Sequence, residues 1–152
     1  MLKIRDAEAQ DVDTLVRFNL AMARETEDLG PDREVLRQGV RAVIGDSSKG
    51  RYFVAERQGA VAGALLVTYE WSDWRNAAFW WIQSVYVEPA HRRAGIFTAL
   101  YRHIAALAVG AGACGLRLYV HQNNALASSV YRKLGMVQSE YRVMETPDVL
   151  RG

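Results

Sequence analysis

Leu2-Lys3-Ile4-Arg5 alternates apolar and polar residues, which predicts a short first strand. From about Gln10 to Glu27 the period lengthens, and Val12, Leu15, Val16, Asn19, Met22 and Ala23 fall on one helical face. Gly30-Pro31 ends that helix and admits another, because proline is tolerated in a first turn. Val35, Leu36, Val40, Val43 and Ile44 supply the second apolar face, and Gly45 closes it. The period then falls to two. Arg51 to Arg57 and Ala60 to Glu70 read as strands joined at Gln58-Gly59, a hairpin signal. A polar loop, Ser72 to Asn76, leads to a third long strand, Ala77 to Val87, which Pro89 stops. A helix follows from about Arg93 to Val109, with Ile96, Leu100, Ile104 and Leu107 on one face and Gly110-Ala111-Gly112 at its end. Gly115 to His121 is a buried-looking strand, Ala125 to Leu134 a short helix ended by Gly135, and Val137 to Glu145 a last strand.

The order is β-α-α-β-β-β-α-β-α-β. Hairpins give antiparallel pairs, and the strand–helix–strand unit from Trp80 to His121 gives one parallel pair with a right-handed crossover. The expected fold class is therefore α/β, with a mixed, mostly antiparallel central sheet and helices on both faces.

The 152 residues suit a single domain, residues 1–152, and contain no repeat or long linker. Half are apolar, which excludes a disordered chain. Nineteen Lys and Arg against 17 Asp and Glu leave a net charge of +2, too near neutral to point to nucleic acid or a membrane surface. One cysteine, Cys114, excludes an internal disulfide and suits a reducing cytosol. The most apolar stretch, Ile104 to Leu116, is far short of the ~20 residues of a membrane span. No signal region opens the chain, so a cytoplasmic location is expected. His91, His103 and His121 have no metal-site spacing, and no metal is expected.

The candidate chemistry begins at Val85-Tyr86-Val87-Glu88-Pro89-Ala90-His91-Arg92-Arg93-Ala94-Gly95-Ile96-Phe97. A strand ends, two arginines follow, and a glycine opens a helix. A helix N-terminus has unpaired N–H groups and partial positive charge, so such ends bind phosphate. Gly95 lets an anion approach without a Cβ in the way. A plain strand–turn–helix with solvated arginines would show the same residues. A second stretch, from Tyr119 through Asn124 to Tyr131-Arg132-Lys133-Leu134-Gly135-Met136, pairs an Asn-rich turn with a short helix.

Together the two stretches resemble the GNAT superfamily of acetyl-CoA-dependent N-acetyltransferases. Arg92 and Gly95 match its Arg/Gln-x-x-Gly-x-Gly/Ala motif, whose last place falls at position 97; Asn124, Ala127 and Tyr131 match its Asn-x-x-Ala-x-x-x-Tyr pattern. The element order is also that family's. Phe97 departs from the pattern: its ring must turn into the core, or the cofactor loop must adjust.

The resemblance implies a splayed parallel strand pair, with pantetheine bound along the backbone of Val85 and Val87. It places the pyrophosphate on the N–H groups of Arg92, Arg93, Ala94, Gly95, Ile96 and Phe97. Asn124 would bind the pantetheine or cap its helix, and Tyr131 would be the general acid near the sulfur. A neutral amine would attack the thioester directly, with a carboxylate or water taking its proton. Glu70, Glu27 and Glu140 are candidates, whereas Gln83 cannot act as a base. Trp71 and Trp74, beside Glu70 and Asp73, would suit a cationic amine if they are not packing groups. The expected function is acetyl transfer to a primary amine of a small molecule or peptide, without nucleic acid or membrane as partner; homodimerisation is compatible with the resemblance. The alternative is a catalytically idle acyl-CoA-binding or protein-interaction domain on the same scaffold.

Overall fold

Hydrogen-bonded ladders join β1 (Leu2–Asp6), β2 (Arg51–Arg57), β3 (Ala60–Ser72), β4 (Ala77–Val87) and β5 (Gly115–Leu118) into one sheet of order β1-β2-β3-β4-β5. This computed structural model describes residues 1–26 and 30–147. The first three junctions are antiparallel and β4–β5 is parallel, as the hairpins and the crossover require. Gln58 and Gly59 have φ of 54° and 78°, both left-handed, which a tight primed turn between β2 and β3 demands.

Four α-helices accompany the sheet among the described residues: α1 (Val12–Thr26), α2 (Arg33–Gly45), α3 (Ile96–Gly110) and α4 (Ala125–Lys133). Asp32 caps α2, its carboxylate accepting the Val35 N–H at 2.9 Å. The chain forms two compact units, residues 1–119 and 120–152. The first contains the whole sheet and α1 to α3; the second contains α4.

In the first unit, alternate residues of each strand enter opposite cores. Phe53, Leu65, Val67, Trp80 and Ile82 pack with Ile96, Leu100 and Ile104 of α3. Val54, Ala64 and Tyr86 pack with Leu15, Val16 and Phe18 of α1 and Val40 of α2. A sheet covered on both faces buries its central strands on both sides, so Tyr52 to Ala55 are all buried. Leu100 is fully buried, and truncating such a leucine to alanine costs about 2–5 kcal/mol.

Strand β3 runs on to Ser72, past the expected end at Glu70, and two further boundaries and one element depart from expectation. Helix α3 starts at Ile96 rather than near Arg93, because Arg93 and Gly95 have φ of 65° and 77°, which no right-handed helix accommodates. Strand β5 stops at Leu118 rather than His121: its ladder with β4 ends at Ile82 opposite Leu118, just before the irregular stretch of β4 that begins after Gln83. The strand expected over 137–145 does not form. A strand exists only with a ladder partner, and this segment's polar groups bond locally, the Tyr141 N–H donating to Ser139 Oγ at 3.3 Å. Val137, Tyr141, Val143 and Met144 are consequently exposed.

Candidate active site

The end of β4 is irregular for a reason visible in its register. Ala64 faces Tyr86 but Leu66 faces Gln83, so β4 carries one residue more than β3 over this stretch. The extra residue is a bulge at Ser84, whose φ is 52°. The bulge shifts the side-chain alternation by one: Trp80 and Ile82 pack on the α3 side, and so do Val85 and Val87, while Tyr86 enters the other core. Parallel pairing with β5 ends at Ile82 opposite Leu118. From Gln83 to Val87, β4 therefore runs on with no strand beside it on its β5 side among the described residues. An extended ligand carrying amides can pair with such an edge as an added strand.

Directly beyond lies the opening of α3. Pro89–His91 form one tight helical turn, Arg92 is extended, and the chain reverses through Arg93 and Gly95. Gly95 leads into the helix, and its carbonyl accepts the Ala99 N–H at 3.0 Å as the first helical bond. The amides of the first turn point outward, as at every helix start. Among the described residues, and apart from its chain neighbours, no atom lies within 4 Å of where a Cβ on Gly95 would stand, so that side of the helix start is open.

The Arg92 side chain is not simply solvated. Its Nε donates to the Val87 carbonyl at 2.9 Å and its Nη2 to Glu25 Oε1 at 2.8 Å, while the guanidinium lies over the Tyr86 ring. The Tyr86 hydroxyl donates to Glu25 Oε2 at 2.6 Å. The Tyr86 and Arg92 bonds hold the Glu25 carboxyl below its ordinary range, and burial together with the charge of Glu25 raises the Tyr86 hydroxyl. Glu25 thus ties the end of α1 to the end of β4 and the start of the loop. Nothing local in the sequence marks it, since its partners are 61 and 67 positions away.

Phe97 lies in the first turn of α3, with its ring packed against the α3-side core and 6.2 Å from the Tyr101 ring. The side chain that departs from the motif is accommodated by turning inward.

The structure assembles Val85, Val87, Arg92, Arg93, Ala94, Gly95, Ile96 and Phe97 into one continuous strand-end and helix-start. It does not bring Glu70 there. Glu70 faces Phe79 near the other end of β4, six residues from Val85, or roughly 20 Å along a strand. Its Oε1 accepts from Arg117 at 2.8 Å and from the Trp81 indole at 3.1 Å. Trp80 is buried in the sheet, whereas Trp71 and Trp74 are exposed. Gln83 donates to Thr68 Oγ1 at 2.6 Å. Glu27 lies outside the described residues. Among the described residues, no group of three or more His, Cys, Asp or Glu side chains is arranged to hold a metal ion.

In the second unit, Asn124 caps α4, its Oδ1 accepting the Ala127 N–H at 3.0 Å. Tyr131 lies on that helix, partly buried, and burial raises its hydroxyl pKa. Gln122, Ala125, Ser128, Ser129, Arg132 and Lys133 line an open hollow of about 480 Å³ on this unit. Glu140 is exposed in the segment beyond.

Residues 17–136 match the Acetyltransferase (GNAT) family. The chain belongs to that family. Its fold is that of a possible acetyltransferase from Clostridium difficile 630, with a TM-score of 0.91, 40% identity, and 98% of this chain and 99% of that one covered. A predicted acetyltransferase from Clostridium acetobutylicum, solved with acetyl-CoA, shares the fold at 17% identity and a TM-score of 0.79, over 100% of this chain and 99% of that one. Thialysine N-epsilon-acetyltransferase of Bos taurus is 28% identical over 141 residues, covering 87% of this chain and 82% of that protein. This GNAT protein is an acetyltransferase, and acetyl-CoA is its acetyl donor. The unpaired edge of β4 and the open helix start at Gly95 fit such a donor, whose pantetheine carries amides and whose pyrophosphate is an anion. Among the described residues, no helix is long and apolar enough to cross a membrane.

Proposed function

We propose that the protein transfers acetyl from acetyl-CoA directly to a primary amine of a small molecule or peptide, as one cytoplasmic domain spanning residues 1–152. The observation that carries this reading is the break in the sheet: pairing of β4 with β5 ends at Ile82, and the Ser84 bulge turns Val85 and Val87 to an unpaired edge beside an open helix start. In this reading Val85 and Val87 pair with the pantetheine amides, and a backbone N–H there stabilises the oxyanion. The amides from Arg92 to Phe97 take the pyrophosphate. Asn124 orders the start of α4 and contributes to the pantetheine site.

The amine nitrogen bonds to the thioester carbonyl carbon, the C–S bond breaks, and the thiolate takes a proton. Tyr131 is the donor in this reading; its raised pKa keeps the hydroxyl protonated at neutral pH. The proton lost by the amine passes to water, since Glu70 is paired with Arg117 and remote from Val85. A primary-amine acceptor is supported by the bovine relative, which is named for acetylating the side-chain nitrogen of thialysine. The apolar side chains exposed between Val137 and Met144 support self-association as a homodimer.

Thiol release from acetyl-CoA, followed over polyamines, amino acids, aminoglycosides and N-terminal peptides, tests the reading. At least one amine class should give turnover, and CoA should raise the melting temperature. CoA binding with no turnover on any amine would instead favour an idle acyl-CoA-binding domain. No shift at millimolar CoA would remove both.

A further inference from the structure

The amides proposed to hold the pyrophosphate follow Val87 in the chain. The pantetheine therefore runs back along β4 from Val87 to Val85, and its acyl end reaches Gln83. Beyond that point β5 closes the edge, with Leu118 opposite Ile82. A ligand paired as an added strand lies in the plane of the sheet, so an amine must reach the thioester carbon from one face or the other. The α3 face is filled: Val85, Val87, Phe97 and Tyr101 pack against the α3-side core. The opposite face carries polar groups instead. Gln83 stands opposite Leu66, which packs on the α1 side, and facing residues of an antiparallel pair share a face. Thr68, two residues after Leu66, shares that face, and both Gln83 and Thr68 are half-buried. The Gln83 side chain is oriented there. Its Nε2 donates to Thr68 Oγ1 at 2.6 Å, so Oε1 is the amide atom that can accept. The Tyr86 hydroxyl, on the same face past the bulge, is committed to Glu25.

We infer that Gln83 binds the acceptor: its Oε1 accepts an N–H of the attacking amine, and this contact selects primary over secondary amines. Attack joins the nitrogen to the carbonyl carbon and leaves that nitrogen positively charged. A primary amine then carries two hydrogens on it. One is held by Gln83, whose amide oxygen stabilises the charge but is too weak a base to take the proton. The other passes to water, the C–S bond breaks, and the thiolate takes a proton. The product amide keeps the hydrogen that Gln83 held. A secondary amine brings a single hydrogen, which cannot be both held by Gln83 and lost to water. This inference rests on the proposed transfer to a primary amine.

Thiol release is followed with n-butylamine and the best primary amine of the screen above, and with the N-methyl derivative of each. Gln83→Met keeps the length of the side chain and removes both polar amide atoms. For the primary amines kcat/KM should fall about ten- to a hundredfold, the scale of one hydrogen bond to a charged group, while the N-methyl amines lose little. The wild-type preference for primary amines should shrink by a similar factor. Gln83→Glu restores an accepting oxygen and should keep the primary-amine rate within a few-fold of wild type. CoA dissociation constants should be alike in all three proteins. Equal losses on both amine types, or an unchanged primary-amine rate in Gln83→Met, would overturn the inference. So would a CoA dissociation constant that rises in step with the loss, because the donor would then be the ligand affected. If Gln83→Met does not fold, Thr68→Val releases the amide from its partner and should shrink the preference in the same direction; an unchanged preference there is equally decisive against it. Wild type that turns over no primary amine refutes the proposed transfer, and this inference falls with it. Wild-type turnover with an unchanged preference in the variants refutes this inference alone.

Discussion

Arg92 and Glu25, 67 positions apart, meet through a 2.8 Å hydrogen bond from Nη2 to Oε1, and the same arginine donates to the carbonyl that ends β4. The charge nearest the donor loop is therefore partly neutralised before any anion arrives. Both partners are exposed, so the pair adds little to stability. Its consequence is electrostatic: with the pyrophosphate on this loop, as proposed, a carboxylate beside it opposes binding.

Glu25→Gln keeps a side-chain partner for Tyr86 and Arg92 and removes that charge. CoA should bind a few-fold tighter at low salt, with the gain vanishing near ~1 M salt as screening shortens to ~3 Å. Calorimetry at two ionic strengths measures this. Weaker binding at both would mean that the tether organises the loop more than it competes with the ligand.

The loop itself gives a second contrast. Gly95 has φ of 77°, a conformation strained for any β-branched residue, and its amide opens α3. Gly95→Val should weaken CoA more than Arg93→Ala, which removes only an exposed charge. The reverse order in dissociation constants would assign the pyrophosphate to side-chain charge instead of the helix start.

The fold was legible where periodicity and punctuation agree. Strands β2 and β4 have their expected bounds, because buried runs between turn residues leave few alternatives. The parallel pair followed from the crossover between them. The strand expected over 137–145 did not form, since alternation describes side chains, whereas a strand needs a partner's backbone. At the site, the strand-end and helix-start were readable because they are contiguous. Glu25 was not: its contacts depend on Tyr86 of β4 and on Arg92 of the loop before α3, which only the fold brings to the end of α1. The surroundings of Glu70 were hidden for the same reason. Its position beside aromatic residues in sequence says nothing of Arg117, which lies 47 positions away and takes its carboxylate.

Acid should act first on the first unit's buried ion pair. Asp11 is 5% exposed and accepts two bonds from Arg5 at 2.7 and 3.0 Å. Burial pushes its carboxyl up, but the bonds from Arg5 and the Glu8 N–H outweigh this and hold it below the ordinary value. A depressed folded-state pKa means that the unfolded chain binds the proton more readily. The stabilisation is complete above the unfolded value of ~3.9 and is lost as pH falls through the folded one. Denaturant midpoints should therefore drop between about pH 5 and pH 2. Asp11→Asn should cost about 1–3 kcal/mol at pH 7, and its midpoint should fall less steeply with acid. An unchanged pH slope in that variant would move the acid sensitivity elsewhere, with Glu25 and Asp46, also depressed, the next groups to examine.

Tyr131 offers the most direct test of the proposed chemistry. A leaving thiol of ordinary pKa ~8.5 departs as thiolate, and protonating it prevents return attack on the new amide. Burial holds the Tyr131 hydroxyl above its usual value of 10.0, so the donor form dominates across the neutral range. Tyr131→Phe removes only the hydroxyl. The turnover number should fall about ten- to a thousandfold, the range of typical general-acid contributions, with the CoA dissociation constant and melting temperature little changed. The same assignment fixes the sign of the pH dependence. On the alkaline side, wild-type kcat should be lost as pH rises beyond 10, through the raised pKa, and the variant should lack that limb. If Tyr131 serves only to pack against the pantetheine, Tyr131→Phe will be nearly silent, while Tyr131→Ala will damage affinity and rate together. Kinetics of both variants, read beside their CoA affinities, separate the two roles. An unimpaired turnover number in Tyr131→Phe would leave water as the proton donor.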